Sequence, residues 1–600
     1  MLDTAAATKI QNVLSALNRA LANHKIDDAL ELFTDDCYWR DLLTFTWNIK
    51  TVEGKPEIRD MLEQRLADVV PADWTVDAEE HAAHAKGITE GFFTFDTAVA
   101  RGHGYVRLKD GLIWTLLTAM HELKGHEEPK GNARPMGARH GAEQGEPTWA
   151  EEREAEQAEL GITTQPYVLI IGGGQGGIAL GARLRQHGVP ALIVEKNARP
   201  GDSWRKRYKS LCLHDPVWYD HLPYIKFPDN WPVFSPKDKI GDWLEMYAKV
   251  MELNFWGATE AKQASYDETT QTWTVDVERD GERVTLQPKH LVLATGMSAK
   301  PNVPGFPGQD IFTGIQQHSS EHRGPDDMAG KQVAVVGSNN SAHDICAALA
   351  ENGVDVTMIQ RSSTHISKSD SLMKHALGPL YSEEAVARGI TTEKADLINA
   401  SIPYGLAPEF QKPAFDTIRE EDADFYQALE DAGFMLDFGA DDSGLFMKYL
   451  RRASGYYIDV GASQLIIDGR IKLESGSQVK ALTENKVVLE DGREIQADAV
   501  IYATGYGSMN GWAADLISQD VADKVGKVWG LGSDTPKDPG PWEGEQRNMW
   551  KPTQQDNLWF HGGNLAQSRH YSHYLALQLK ARMAGISMPV YGLQETHHLS

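Results

Sequence analysis

The chain has 600 residues, too many for one hydrophobic core, so about three domains are expected. Its formal net charge of −26 excludes a broad nucleic-acid or anionic-membrane surface, and any anionic ligand must be held by local donors. Cys37, Cys212 and Cys346 form no CxxC, which excludes a disulfide scaffold and points to a reducing, cytoplasmic setting. No apolar run reaches membrane-spanning length, and MLDTAAATKIQ lacks the basic and apolar regions of a secretion signal.

Residues 1–125 read as a small α+β unit. Ile10, Leu14, Leu17 and Leu21 predict a helix over Thr8–Asn23, and Ile26–Leu32 a second. Strands follow over Glu90–Val99, His103–Leu108 and Leu112–Thr118. Helices then long strands, with Tyr38–Asp41 and a VEGK turn between, resemble the cone-shaped nuclear-transport-factor-2-like (SnoaL-like) family. The resemblance implies a pocket that Trp39, Asp41 and His103 would line. A packing or dimerisation element without chemistry is the stronger reading, and leaves a homodimer open. His81-x-x-His84 has helix-compatible ligand spacing, but with no acid or cysteine set beside it the pair reads as solvated. Residues 126–164 read as a linker, with a Gly/Pro-rich His126–Glu146 and a charged helix over Trp149–Leu160.

Residues 165–300 open with Tyr167–Glu195, a strand, a glycine turn, a helix and a second strand. In Gly172-x-Gly174-x-x-Gly177 the first glycine permits the turn, the second admits a pyrophosphate and the third lets the helix pack on the strand. Gln175 and Gly176 lie within this turn. Glu195 ends the second strand where a ribose hydroxyl would bond, followed by Lys196. Together these predict dinucleotide binding.

Residues 301–505 hold a second such unit, with the turn Gly337-Ser338-Asn339-Asn340-Ser341-Ala342. Asn339 stands where the middle glycine is usual, and its side chain crowds a pyrophosphate. The next strand ends in Gln360-Arg361-Ser362 with no acid; guanidinium and hydroxyl suit a 2′-phosphate, the bland alternative being an ordinary surface arginine. Two strands end in Ala-Thr-Gly, at Thr295-Gly296 and Thr504-Gly505, bracketing the second unit and implying one nucleotide domain inserted in another. Residues 506–600 return to the first domain. The expected fold class is therefore α/β, two Rossmann-like dinucleotide-binding domains plus an N-terminal α+β cone-like domain.

From Gln165 to Met588 the chain resembles the class B flavoprotein monooxygenases: flavin-containing, YUCCA-type and Baeyer–Villiger enzymes. The resemblance rests on both glycine turns, on Gly201-x-x-Trp204-Arg205, and on Phe312-Thr-Gly314 through His318 to His322, similar to the fingerprint FxGxxxHxxx(Y/F/W). His322 in the last position resembles the type II flavin-containing monooxygenases. The resemblance implies FAD and NADPH, with NADH as an alternative donor, and a C4a-(hydro)peroxyflavin that oxidises small ketones, sulfides or amines with O2. YUCCA-like decarboxylation of a 2-oxo acid and an uncoupled oxidase are the alternatives. The absence of a close cysteine pair excludes the dithiol reductases, and no metal site is expected, although His318 and His322 could alternatively pair on a metal.

The resemblance places His214 opposite the flavin, where the family carries asparagine; a structural histidine is the equal alternative, and Asp215 would orient it. Trp204 and Arg205 fall to the cofactor, and Trp204, like Trp218, packs rather than reacts. Trp559–Arg569 leads into a helix predicted over Tyr571–Ala584, whose start, with Asn564 and Gln567, would favour negative charge on the flavin. Arg569 would touch the nucleotide or the reacting oxygen, or serve as a salt-bridge partner. Ser367–Tyr449 reads as helical, either a substrate wall or plain core.

Overall fold

The computed structural model describes residues 3–77, 80, 82–137, 145–533, 538 and 540–596. His81 and residues 138–144 of the expected linker lie outside them.

The first helices are Thr4–Ala22 and Ile26–Leu30, the former burying Ile10, Leu14, Leu17 and Leu21. The sheet is larger than expected, with seven strands. In spatial order they are Ile49–Glu53, Phe33–Leu42, Leu112–Leu123, Ala100–Lys109, Ile88–Asp96 and Ala72–Val76, with Ala82–Ala85 also paired to Ile88–Asp96. The VEGK segment opens an unpredicted helix, Gly54–Val69. His84 sits on a strand and bonds Thr89 at 2.8 Å, so the helical ligand spacing is corrected. Inside the cone Trp74 stacks on Phe93 and Phe95 at 5.3 and 4.8 Å.

The expected pocket lining is also corrected. Trp39 is fully buried and donates to Thr118 Oγ1 at 2.8 Å. Asp41 is buried too, accepting from the Phe45 and Thr46 amides and from the hydroxyls of Thr44, Thr46 and Thr118. It anchors a loop. His103 lies on another face, stacked on His121 at 4.0 Å.

Two five-stranded parallel sheets follow. The first runs Phe255–Trp256, Ala191–Val194, Val168–Ile171, His290–Leu293, Leu558–Phe560. The second runs Ile315–His318, Ala499–Tyr502, Gln332–Val336, Asp355–Gln360, Lys472–Ser475. Each receives its Ala-Thr-Gly strand from a three-stranded antiparallel sheet. The central strands are apolar and buried on both faces, as parallel sheets under helices require. The two connections between these sheets lie side by side: Asn302 N–H donates to Gly505 O at 3.0 Å and Gly507 N–H to Lys300 O at 2.9 Å.

The N-terminal unit docks on this body through buried polar contacts. Arg40 makes a bidentate pair with Glu545, 2.6 and 2.8 Å.

In the N-terminal sheet, a Cβ at Gly104 would lie 2.0 Å from the Phe93 ring. Gly104→Val is therefore expected to destabilise this unit by about 1–3 kcal/mol, the scale of overpacking. A denaturant melt reads it; an unmoved first transition would contradict the filled-cone description.

Candidate functional site

Local sequence builds the first glycine turn. A Cβ at Gly172 would come 2.3 Å from Ala294 O, and one at Gly177 2.0 Å from Gly172 O, so both positions need hydrogen. A Cβ at Gly174 would meet only Ser203 Oγ, at 3.8 Å, and this open side is where a pyrophosphate can approach. Gly174 N-caps the helix Gln175–Gln186 without a side-chain acceptor. Glu195 is buried, accepting from Gly173 N at 2.7 Å and Asn197 N at 2.8 Å, which fixes its carboxylate at the turn. Thr295 Oγ1 is buried without a partner beside the same turn, and Gly296 is left-handed. These features fit a bound dinucleotide.

Around them, Trp204 Nε1 donates to Gln175 Oε1 at 3.3 Å, and Gln175 Nε2 to Gly563 O at 3.2 Å. Gly176 packs against Gly562 and His561. Lys196 is exposed, 5.9 Å from the Trp512 ring. Arg205 is spent on Asp202, Asp242, Glu245 and Pro200 O, so the structure makes it an ion-pair anchor rather than a cofactor cation.

The second turn repeats the design. Asn339 N-caps Asn340–Glu351 with no side-chain bond to it, and Gly337 passes Ala503 O where a Cβ would stand 2.3 Å away. Ser338 Oγ bonds Thr364 Oγ1 at 2.8 Å, Ile458 N–H donates to Asn340 Oδ1 at 3.1 Å, and Ser341 is half-buried. Gln360 is committed to Met435, whereas Arg361 and Ser362 stand exposed at the strand end. Thr504 Oγ1 donates to Asn302 O at 2.5 Å, tying the two connections. His318 Nε2 donates to Gly505 O at 3.0 Å, and Gln317 Nε2 donates to His322 Nδ1 at 2.8 Å. The two histidines thus bond separate partners, and no group of three or more His, Cys, Asp or Glu among the described residues is placed to hold a metal.

Between the turns lies the start of the long helix Leu565–Met583, six residues earlier than expected. Asn564 and Gln567 form its capping box. Asn564 Nδ2 donates to Tyr219 Oη at 3.1 Å, and Tyr449 Oη donates to Gln567 Oε1 at 2.6 Å. Asp215 sits half-buried and deeply enclosed near Tyr219, Tyr449 and Tyr456. Burial pushes its carboxyl up to about 6. Asp220, fully buried with both oxygens unpartnered, is pushed well above the carboxylate range by burial and by Asp215.

Two expected roles change here. The close partner of His214 is Asp344, and Asp215 acts on it through charge. That ring faces Asp344 of the second domain, 3.6 Å from Nε2, and Tyr208 Oη donates to the same carboxylate at 2.7 Å. Burial disfavours the imidazolium, but Asp344, with a smaller contribution from the charge of Asp215, outweighs it and His214 is raised. Arg569 is buried, bonded by Nε and Nη2 to Asp396 at 2.9 and 2.8 Å and by Nη1 to Tyr219 O and His221 O at 2.6 Å each. Four of its five N–H donors are used, two of them on the Asp396 carboxylate, which makes it a salt-bridge partner. Tyr219, Asp220, Tyr449, Tyr456, Asp344 and Asp396 were missed. Only the acid-aromatic run His214–Asp220 carried a signal for the first two.

This arrangement is that of a flavoprotein with two dinucleotide sites. Residues 169–402 match the pyridine nucleotide-disulphide oxidoreductase family and residues 14–116 the SnoaL-like domain. Indole-3-pyruvate monooxygenase YUCCA1 of Oryza sativa subsp. japonica is 32% identical over 371 residues, 60% of this chain and 83% of that protein. Probable indole-3-pyruvate monooxygenase YUCCA10 of Arabidopsis thaliana is 28% identical, over 64% and 90%. Among solved structures, the open crystal structure of cyclohexanone monooxygenase aligns over 70% of this chain and 88% of its own, at 18% identity and TM-score 0.49. The chain belongs to the flavin-dependent monooxygenase family, using FAD and NADPH, with a SnoaL-like domain in front. No described helix is long and apolar enough to cross a membrane.

Gly174→Val is expected to leave the fold intact and abolish flavin retention, because its side chain meets the ligand and not the protein; flavin absorbance per protein after gel filtration reads this. Full retention would contradict the assignment of the first turn.

Burial holds His343 and His365 at about 4 and His561 at about 3, so all three are neutral in the fold. An unfolded histidine protonates near ~6.5. Below that pH the unfolded chain binds more protons, so stability is complete above about 6.5 and falls as the pH drops toward 4. Asp41, Glu53, Asp215 and Asp220, raised by burial, work in the opposite direction but are outnumbered, since burial also lowers His187, His221, His322 and His570 to about 4. The melting temperature should fall between pH 7 and 5, and less steeply in His343→Gln.

Proposed function

We propose that the chain is an NAD(P)H-dependent monooxygenase that places one oxygen atom of O2 into a small ketone, and oxidises sulfides or amines as a second activity. The observation that carries this reading is the buried cluster in which Asp215 lies among Tyr219, Tyr449 and Tyr456, with Tyr219 bonded to the Asn564 cap of the long helix; we take this cluster to border the reaction cleft. A bound flavin reduced by the nicotinamide supplies the oxygen chemistry. NAD(P)H gives two electrons, one oxygen atom goes to the product and the other leaves as water. The chain's own residues position and enclose. Asn564 and Gln567 cap the long helix so that its positive end meets negative charge on the ligand. The tyrosines exclude water, whose entry would release hydrogen peroxide. His214, held by Asp344 at the boundary of the two nucleotide domains, can donate a hydrogen bond there.

The relatives named indole-3-pyruvate monooxygenases favour a second reading, oxidative decarboxylation of a 2-oxo acid. The charges beside the cleft argue against an anionic substrate. Arg569 is neutralised by Asp396, Asp220 holds its proton, and Asp215 is negative above about 6.

The test is anaerobic reduction by NADPH, then oxygen with a cyclic ketone, an aryl sulfide or indole-3-pyruvate, with products identified by mass. Lactone or sulfoxide supports the proposal; decarboxylated acid alone favours the second reading; peroxide alone, with every substrate, overturns both. Arg361→Ala is expected to raise KM for NADPH about tenfold, the scale of one charge-assisted hydrogen bond, with KM for NADH unchanged.

A further inference from the structure

The short helix Thr392–Ala400 reaches the Asp215–tyrosine cluster through Asp396 and Arg569, and it is held at three places. At its start Thr392 Oγ1 donates to Trp218 O at 2.9 Å. In its middle Asp396 pairs with Arg569 and accepts from Tyr381 Oη at 3.0 Å; Tyr381 packs edge-on against Tyr219 at 4.8 Å, whose hydroxyl accepts from Asn564. At its end two carbonyls are taken by guanidinium groups of the SnoaL-like domain. Arg40 Nη1 donates to Ala400 O at 2.7 Å and Arg107 Nη1 to Ser401 O at 3.1 Å. Lys394 pairs with Glu80 of the same domain at 2.6 Å, and Trp114 stacks on Phe410 at 5.8 Å.

A helix end leaves its last carbonyls without intrahelical partners, and they carry partial negative charge. A buried guanidinium is the strongest complement available to them. A nine-residue helix has little stability of its own, so its place depends on such contacts. Both arginines are themselves fixed: Arg40 by Glu545, and Arg107 by Glu90 at 3.0 Å and by stacking over Phe410.

The geometry points to the SnoaL-like domain as the outer support of the substrate wall: Arg40 and Arg107 are positioning residues that seat Thr392–Ala400, and through Asp396 and Arg569 keep the cleft closed to water. The domain thereby sets how much NAD(P)H is used for oxygen transfer. In the coupled reaction NADPH, a proton, O2 and substrate give NADP+, oxygenated product and water. In the uncoupled one NADPH, a proton and O2 give NADP+ and hydrogen peroxide. This inference rests on the monooxygenase reading above.

The test uses the full FAD-loaded chain. Arg107→Ala is the first variant, because its partner Glu90 can be solvated when left behind; Arg107→Lys is the conservative control. Peroxide released per NADPH consumed, with a substrate the wild type oxygenates, is expected to rise at least threefold in Arg107→Ala at unchanged flavin content. Arg107→Lys should restore most of the coupling. Amide exchange over Leu397–Ser401 is expected to quicken about tenfold in the alanine variant alone, which a general loss of stability would not confine to that segment. Unchanged coupling or unchanged exchange in Arg107→Ala overturns the inference. A wild type that yields only peroxide brings down the monooxygenase reading and the coupling role with it, whereas normal wild-type transfer with unaltered variants removes the positioning role alone.

Discussion

The helices Gln175–Gln186 and Asn340–Glu351 each begin at a glycine turn with amide groups that no side chain satisfies, and the two nucleotide folds are built around those helix ends. Several other helices lack a side-chain cap, Lys237–Val250 and Leu445–Arg452 among them, whereas Asp3, Thr148, Ser382, Thr391, Ser518 and Asn564 each accept a first-turn amide. Gly174 and Asn339 do not. Unsatisfied amides at the positive end of a buried helix are costly unless an anion meets them. A pyrophosphate at each turn supplies what the sequence withholds, so nucleotide binding contributes to stability as well as to chemistry.

The inserted layout follows from the same requirement. The chain leaves the first sheet at Thr295, builds the second domain and returns at Thr504, so two strands of polypeptide cross together. Their mutual hydrogen bonds, with His318 holding Gly505, restrict how one domain moves over the other. The last strand of the first sheet, Leu558–Phe560, then delivers the long helix to the space between the turns. Tyr449 and Asp215 arrive there from opposite domains, which is how a cleft becomes enclosed without a continuous motif in the chain.

The glycine turns, Glu195 and the bracketing Ala-Thr-Gly strands were legible in the sequence because each meets its requirement within a few residues. The partners of His214 and Arg569 were not, since Asp344 and Asp396 lie far along the chain in helices whose patterns describe packing only. The strand Phe33–Leu42 was hidden by Asp35 and Asp36, which interrupt its apolar alternation at exposed positions and put a register irregularity in its pairing. The helix Gly54–Val69 was hidden by a charged surface that leaves five apolar residues and Arg65 to be buried. Asp41 was mistaken for a pocket residue because a buried acid and a catalytic acid look alike in sequence; only its five donors separate them.

The N-terminal sheet divides its work by face. Successive residues of a strand point to opposite sides. Trp39 and Val106 belong to the aromatic-rich core that fills the cone. Their neighbours Arg40 and Arg107 point outward to the wall of the cleft. Filling the interior removes the space such a cone could offer a ligand, and makes the sheet stiff. Stiffness is what a support needs: a guanidinium fixes a helix end only as firmly as its own backbone is fixed. Arg40 illustrates the cost and the return. Removing its charge from water is expensive, but Glu545 in bidentate geometry, the Tyr571 hydroxyl and the Ala400 carbonyl satisfy four of its five donors, and the Tyr404 face lies 4.7 Å away. With burial opposed by this many partners its proton is held still more tightly than usual. A residue in that state has one stable orientation, and it passes that orientation to the helix it holds.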